Sequence, residues 1–429
     1  EIVLAAVQND GSALEYAADE FKSDREIVLA AVQNDGWALG FAADEFKSDR
    51  EIVLTAVQQD GRALQYAADE LKSDREFVLA AVQQDGGALY FAADELKADR
   101  EIVLAAVRQD GRVLEYAFDE LKADREIVLA SAQSNGGSLV YASEKLKADR
   151  EIVLAAVQNH GSLSDAAEEL KSDREIVLAA VQHEAMALVW AADECRSDRE
   201  IVLVAVKSKG YALEHAADEM KADREVVMTA VQECGTALEY ASDELKSDRE
   251  IVLAAIKLKG ATGGHATEEQ SGNALEYASD ELNSDREFML SVVQANGLAV
   301  KYFPDELKAD REIVMAAVNC NGWALELAAD EFRSDRELVL LAVKQDYEKL
   351  EMASDELKSH REFMLEAVQV DGMTLEFASD ELKANREIVL IAVRDDGCEG
   401  SVLQHAADEL KSDPEIVLAA LQAGDCAAE

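Results

Sequence analysis

Proline is nearly absent, 2 in 429 residues. No Ser/Gly/Pro-rich run exceeds loop length, so nothing in the chain reads as a linker at which to divide it. Cysteine is scarce and shows no paired spacing: Cys195, Cys234, Cys320, Cys398 and Cys426 make an odd count of 5. That argues against a disulfide framework or a Cys-type zinc site and favours a reducing compartment. Positive charge is short, 42 Lys and Arg against 89 Asp and Glu, for a net −47. Such a balance argues against nucleic acid and anionic membrane surfaces as partners. No apolar run approaches the roughly 20 residues of a membrane span, so no membrane insertion is expected.

What is present is apolar enough to fold throughout, 49% hydrophobic with 31% charged. The chain repeats itself every 25 residues: Glu1, Glu26, Glu51, Glu76, Glu101 and Glu126 each begin E-[IF]-V-L. Six units fill 1–150 without a gap. Later ones run 151–174, 175–199, 200–224, 225–249, 250–286, 287–311, 312–336, 337–361, 362–386 and 387–414, and a partial unit occupies 415–429. A fixed period of this size marks a stacked array. The prediction is one continuous unit over 1–429. Its irregular section is 260–304, where 261–272 ("ATGGHATEEQSG") lengthen a turn and Pro304 is expected to kink a helix.

Within a unit, Glu1 to Asp10 and Ser12 to Lys22 both carry apolar residues at helical spacing, separated by Gly11. Each half has a wide apolar arc that only neighbouring units can cover. The expected fold is therefore all-α, an α-solenoid or superhelical array of about 16 helix-turn-helix hairpins with a 25-residue repeat. Gly11 and its equivalent Gly36 read as left-handed residues closing the first helix, and 14 of the 16 complete units keep that Gly. The D-R-E-x-V-L-A-A-V core, the N/Q-D/N-G turn and the A-L-E-Y-A-[AS]-D-E-L-K tail resemble the repeat family known as domain of unknown function 4116. That resemblance spans nearly the whole chain. It implies a tandem helical array and brings no activity with it.

The search for chemistry returns little. The six His lie in different repeats and mostly different columns, without a metal-binding triad. Paired acids such as Asp19 and Glu20 recur along the array, as a solvated face does. No phosphate loop, activated nucleophile or alternating calcium loop is present. The sequence predicts no catalytic residues, no cofactor and no metal.

Specificity is expected at the turn. The column after Gly11 is the most variable, holding Ser12, Trp37, Arg62, Gly87, Arg112, Gly137, Met186, Tyr211, Trp323 and Met373 among others. Both insertions, 261–272 with His265 and the smaller one at Cys398, Glu399 and Gly400, fall on the same rim. Trp37, Met186, Tyr211, Trp323, Met373 and His265 are the candidate partner-binding residues. The expected role is a non-catalytic scaffold for a protein partner, for which a basic surface fits the charge, or a structural component of a multi-subunit complex. The competing reading is an acidic array that binds cations or basic proteins weakly, or is adapted to high salt.

The joint between units is written "SDREIVLAAV". Asp24, kept in 14 of 16 copies, is expected to cap the helix, with Arg25 first inside it. Arg50 and Arg75 repeat the arrangement, and the copy lacking Arg has Pro414, which that position favours. A cation in the first turn opposes the helix dipole. Arg25 is therefore expected to face the end of the preceding helix with Asp19 and Glu20, or the matching acids of the adjacent unit.

Overall fold

The computed structural model describes residues 1–257, 273–394 and 401–425. His265, both turn insertions, Cys398 and Cys426 lie outside them. The described residues are mostly helical and contain no strand. Their contacts group into two units, Glu1–Ala205 with His215–Ala217, and Val206–Glu214 with Asp218–Glu429. Inside each unit the same repeat stacks on itself.

One repeat shows how residues dictate the form. The long helix Arg25–Asn34 starts where the Asp24 carboxylate accepts from the amides of Glu26 at 3.0 Å and Ile27 at 3.2 Å. Ile27, Val28, Ala31 and Val32 share its buried face. The helix ends because Asp35 turns extended, φ −141°, and its carboxylate caps the following segment by accepting from the Trp37 amide. That segment, Gly36–Phe41, is a tight 3₁₀ helix burying Ala38 and Leu39. Two extended residues follow, Ala42 (φ −70°, ψ 155°) and Ala43 (φ −60°, ψ 149°). A single α-turn, Asp44–Lys47, closes the repeat, with acids at its N-terminal end and Lys47 at its C-terminal end as the dipole prefers.

The helix-turn-helix repeat is present, with its second arm divided. The second arm is a 3₁₀ helix and a one-turn α-helix separated by an extended pair, although Ala is the best helix former. The reason lies between repeats. The Ala43 amide donates to the Lys22 carbonyl of the preceding repeat at 3.0 Å, Ala68 to Lys47 at 2.8 Å, and Ala93 to Lys72 at 3.0 Å. In the second unit Ser242 donates to Lys221 at 3.0 Å and Ala329 to Lys308 at 3.1 Å. A continuous second helix would draw that amide into its own ladder and forfeit the lateral bond.

Pro304 falls in this extended column, at φ −56° and ψ 151°. Its ring needs that φ, and no helix passes through it to be kinked, so the expected distortion is absent. What Pro304 lacks is the amide its counterparts use to reach the preceding repeat.

The glycines also differ from expectation. None of the turn glycines whose surroundings are described has a positive φ. They are kept for space: a Cβ on Gly11 would stand 2.5 Å from the Ala31 carbonyl oxygen of the next repeat, and one on Gly36 2.4 Å from that of Ala56. The next long helix is packed directly on the turn. Gly86→Ala, whose Cβ would meet the Ala106 oxygen at 2.5 Å, is expected to destabilise its neighbourhood by about 1–3 kcal/mol. At Gly87 a Cβ meets only side-chain atoms, Asp85 Oδ1 at 3.1 Å and Arg62 Nε at 3.3 Å, so Gly87→Ala should stay within about 0.5 kcal/mol. Hydrogen exchange of the flanking helices reads both variants locally.

Candidate protein-interaction surface

Arg25 reaches forward, its Nη2 2.5 Å from Glu51 Oε2 and its Nε 3.6 Å from Asp49 Oδ2. Asp49 is the cap of the next long helix and Glu51 lies in its first turn. The pattern recurs: Arg100 holds Asp124 at 2.8 Å and Glu126 at 2.6 Å, and Arg286 holds Asp310 at 2.8 Å and Glu312 at 2.6 Å. The expectation that Arg25 serves the preceding helix end, or acids of the Asp19 and Glu20 column, is thus corrected. Acids of that column are solvated, Asp44 being 97% exposed, and lie within reach of a lysine three residues on. A cation that opposes its own dipole is set instead against the two carboxylates of the next helix start.

One Asp therefore does two jobs. Hydrogen bonding from the Arg100 guanidinium, with the cap amide of Ile127, holds Asp124 below the usual carboxylate range against partial burial. Arg125 and the Ile152 amide do the same for Asp149, and Arg150 and the Ile176 amide for Asp173. At Asp99 and Asp335 partial burial is the largest influence and works the other way, yet the Arg, the cap amides and charge attraction together prevail. Where the Asp is missing the joint adapts. His360 caps with its Nδ1, and Arg336 turns to Glu366, in a column that is mostly Ala elsewhere.

The rim residues lie across the next repeat. The Trp37 indole donates to Asp60 Oδ2 at 2.6 Å and meets the Tyr66 ring edge-on at 5.8 Å. Trp323 stays 48% exposed, with the buried Lys349 ammonium 3.5 Å from its ring centre and that ammonium 2.6 Å from Asp346. Met373 accepts from the Ser401 hydroxyl at 3.4 Å, Met186 is half-buried beside a hollow with Trp190, and Tyr211 is exposed. Trp37, Trp323 and Met373 each make these contacts with the next repeat.

A patch does form in the first unit. There the rim column alternates Arg62, Gly87, Arg112, Gly137, and the missing side chains open a groove of about 570 Å³. Tyr90, Phe91, Tyr116 and Tyr141 floor it. Tyr90 is 54% exposed and stacks edge-on against both Phe91 and Tyr116 at 4.9 Å. Arg112 donates from Nε and Nη2 to Asp110, at 3.0 Å and 2.9 Å, and Arg62 stands 3.4 Å from Asp85. Hydrogen bonding from Arg112 is the main cause that keeps Asp110 below its usual range. Burial and then the Glu115 carboxylate raise the Tyr141 phenol.

Tyr90 escaped the sequence reading, although a signal was there. Its column is Glu at 214, 239, 276, 326, 351 and 376 in the second unit, with Lys301 and Gln404 as exceptions, whereas the first keeps Glu only at 15 and 115 beside Gly40, Gln65, Tyr90, Val140 and Val189. The acidic stripe is interrupted there by neutral and apolar side chains, with Glu115 remaining at the groove. Another juxtaposition was also missed: His160 and His183 come together across a joint, ring centres 4.9 Å apart. Among the described residues no three side chains of metal-ligating type converge, and no helix is long and apolar enough to cross a membrane.

The fold defines a tandem helical-repeat protein whose unit is a long helix, a 3₁₀ turn and a short helix. The chain belongs to the family described as a domain of unknown function (DUF4116), whose model matches it fourteen times from residues 1–47 through 24–72 and 49–97 to 385–426. Each match spans about two repeats, and so includes the joint between them. None of the curated proteins matches the chain.

If the ladder supports stacking, the sign with pH follows. A carboxylate lowered on folding adds stability above its ordinary value of about 4, and that stability is lost as pH falls through the lowered one. Replacing Arg100, Arg125 and Arg150 together by Met should lower the melting temperature at pH 7 and flatten the acid limb below about pH 4. Because the guanidiniums are half-exposed, the difference should shrink in high salt. Melts of wild type and variant between pH 7 and about 3 check this; coincident curves would remove the ladder from the stability of the fold.

Proposed function

We propose that the chain is a non-catalytic scaffold that takes a protein partner on the rim of its first unit, within a larger assembly. The observation that carries this reading is the groove over Gly87 and Gly137. It offers exposed aromatic rings, internally paired arginines and an interrupted acidic column that keeps Glu115, on a chain that is otherwise densely anionic. Aromatic and Arg side chains in a concave patch are the groups that dominate protein interfaces. A partner suited to it presents an apolar anchor for Tyr90 and Tyr116, flanked by basic residues that meet the surrounding acids.

The test is a comparison of what co-purifies with the native chain and with a Tyr90→Ala, Tyr116→Ala variant. The variant should lose the partner or bind it at least about tenfold more weakly, while Trp323→Ala in the second unit keeps it. Retention by the groove variant would overturn this site.

The acidic reading has its own support in the one-turn helices, whose Asp44, Asp69 and Asp119 are almost fully exposed. Under it, thermal stability should rise steeply with salt or calcium as the repulsion is screened. Melts across salt and calcium that stay flat would leave the scaffold reading alone.

A further inference from the structure

The repeat at 151–174 is one residue shorter than the 25-residue copies before it, and the loss is absorbed in its turn. In most other repeats the residue ahead of the 3₁₀ helix is extended and caps it with a side-chain oxygen, as Asp35, Asp110 and Asp371 do. Here Asn159 ends the long helix at φ −114°, and His160 follows at φ 66°, the one non-Gly positive φ among the described residues. Capping has passed to Ser162, whose hydroxyl accepts from the Ser164 amide at 3.2 Å. His160 is thus released from the role its column has elsewhere and held in a backbone region that Gly or Asn would occupy at less cost.

Its side chain meets His183, the last residue of the long helix Arg174–His183 in the next repeat, with ring centres 4.9 Å apart and planes at 72°. Both histidines are exposed, at a hollow of about 360 Å³ lined also by Ser162, Met186 and Trp190. Two exposed imidazoles bury little by touching, so packing alone gives a poor reason for the strained backbone. Their separation fits another one. Metal–imidazole bonds of about 2.0–2.1 Å, at angles between a right angle and a tetrahedral one, put two ring centres about 4.5–5.2 Å apart.

We infer that His160 and His183 form a two-imidazole site for a late first-row dication, Zn²⁺ or more tightly Cu²⁺, which bridges the repeats 151–174 and 175–199. Imidazole nitrogen suits these metals over the hard cations that carboxylates prefer. With no third ligand side chain converging, water completes the coordination.

The probe is Zn²⁺ titrated calorimetrically into the full chain, with excess Mg²⁺ present to occupy the surface carboxylates. One equivalent should bind with micromolar affinity. His160→Asn, which tolerates the left-handed backbone, and His183→Gln should each weaken it at least about tenfold, and His405→Asn should not. With Cu²⁺, the electron paramagnetic resonance spectrum should show hyperfine splitting from two nitrogens and lose it in either variant. Equal binding by wild type and both variants, or only weak multivalent uptake, would overturn the site. Should His160→Asn fail to fold, His183→Gln and the nitrogen splitting decide the matter.

Discussion

The described joints turn chiefly on a single carboxylate, the Asp before each long helix. It satisfies amides that the helix start leaves without partners, and it receives the guanidinium of the preceding repeat. Those two demands agree, because both are met by the ionised form and both lie at the positive end of a helix dipole. Once the Asp is placed, the Arg that follows it has no stabilising role at home and is directed forward. Local helix initiation and repeat stacking are thereby set by the same oxygen atoms.

Around that point the packing is spare. The long helix gives Ile, Val, Ala and Val to the interior, the 3₁₀ segment gives Ala and Leu, and the extended pair gives one buried Ala. The small residues matter as much as the large ones. At most of the described turn glycines a carbonyl of the next long helix sits closer than a side chain would allow, as the Ala31 oxygen does at Gly11 and the Ala106 oxygen at Gly86. The lateral hydrogen bond from the extended pair then ties the two backbones directly. Repeats in each unit are thus joined by an ion pair, a tight backbone approach and a peptide hydrogen bond, three contacts of different physical origin.

How much of this could be read from residues alone depends on where each cause lies. The 25-residue period, the all-helical class and the Asp cap are local, and the recurrence of Asp24 where Ser23 varied made the cap legible. The split of the second arm was not legible, since Ala42 and Ala43 favour helix by themselves and are held extended by a carbonyl of the preceding repeat. Gly11 was noticed for the right column and the wrong reason: its neighbour at 2.5 Å belongs to another repeat. Pro304 misled because the helix it was expected to bend does not run through it. The groove was half visible in the rim alternation of Arg and Gly, but Tyr90 required comparing a second column between the two halves of the chain.

Because the joint is written in three columns within a few residues, Asp, Arg and Glu, nearly any copy can follow any other. Copies can be gained or lost by whole units without a new interface having to evolve, and a defect in one need not spread. Asn385 shows the columns to be separable, since it still caps its helix while Arg361 makes do with Glu387. The short copy at 151–174 shows the same tolerance for length: a deleted residue alters the turn, where His160 stands, and leaves Arg150 bound to Asp173 at 2.7 Å. Variation is steered to the rim, so the array can acquire new surface chemistry one repeat at a time while its joints stay the same.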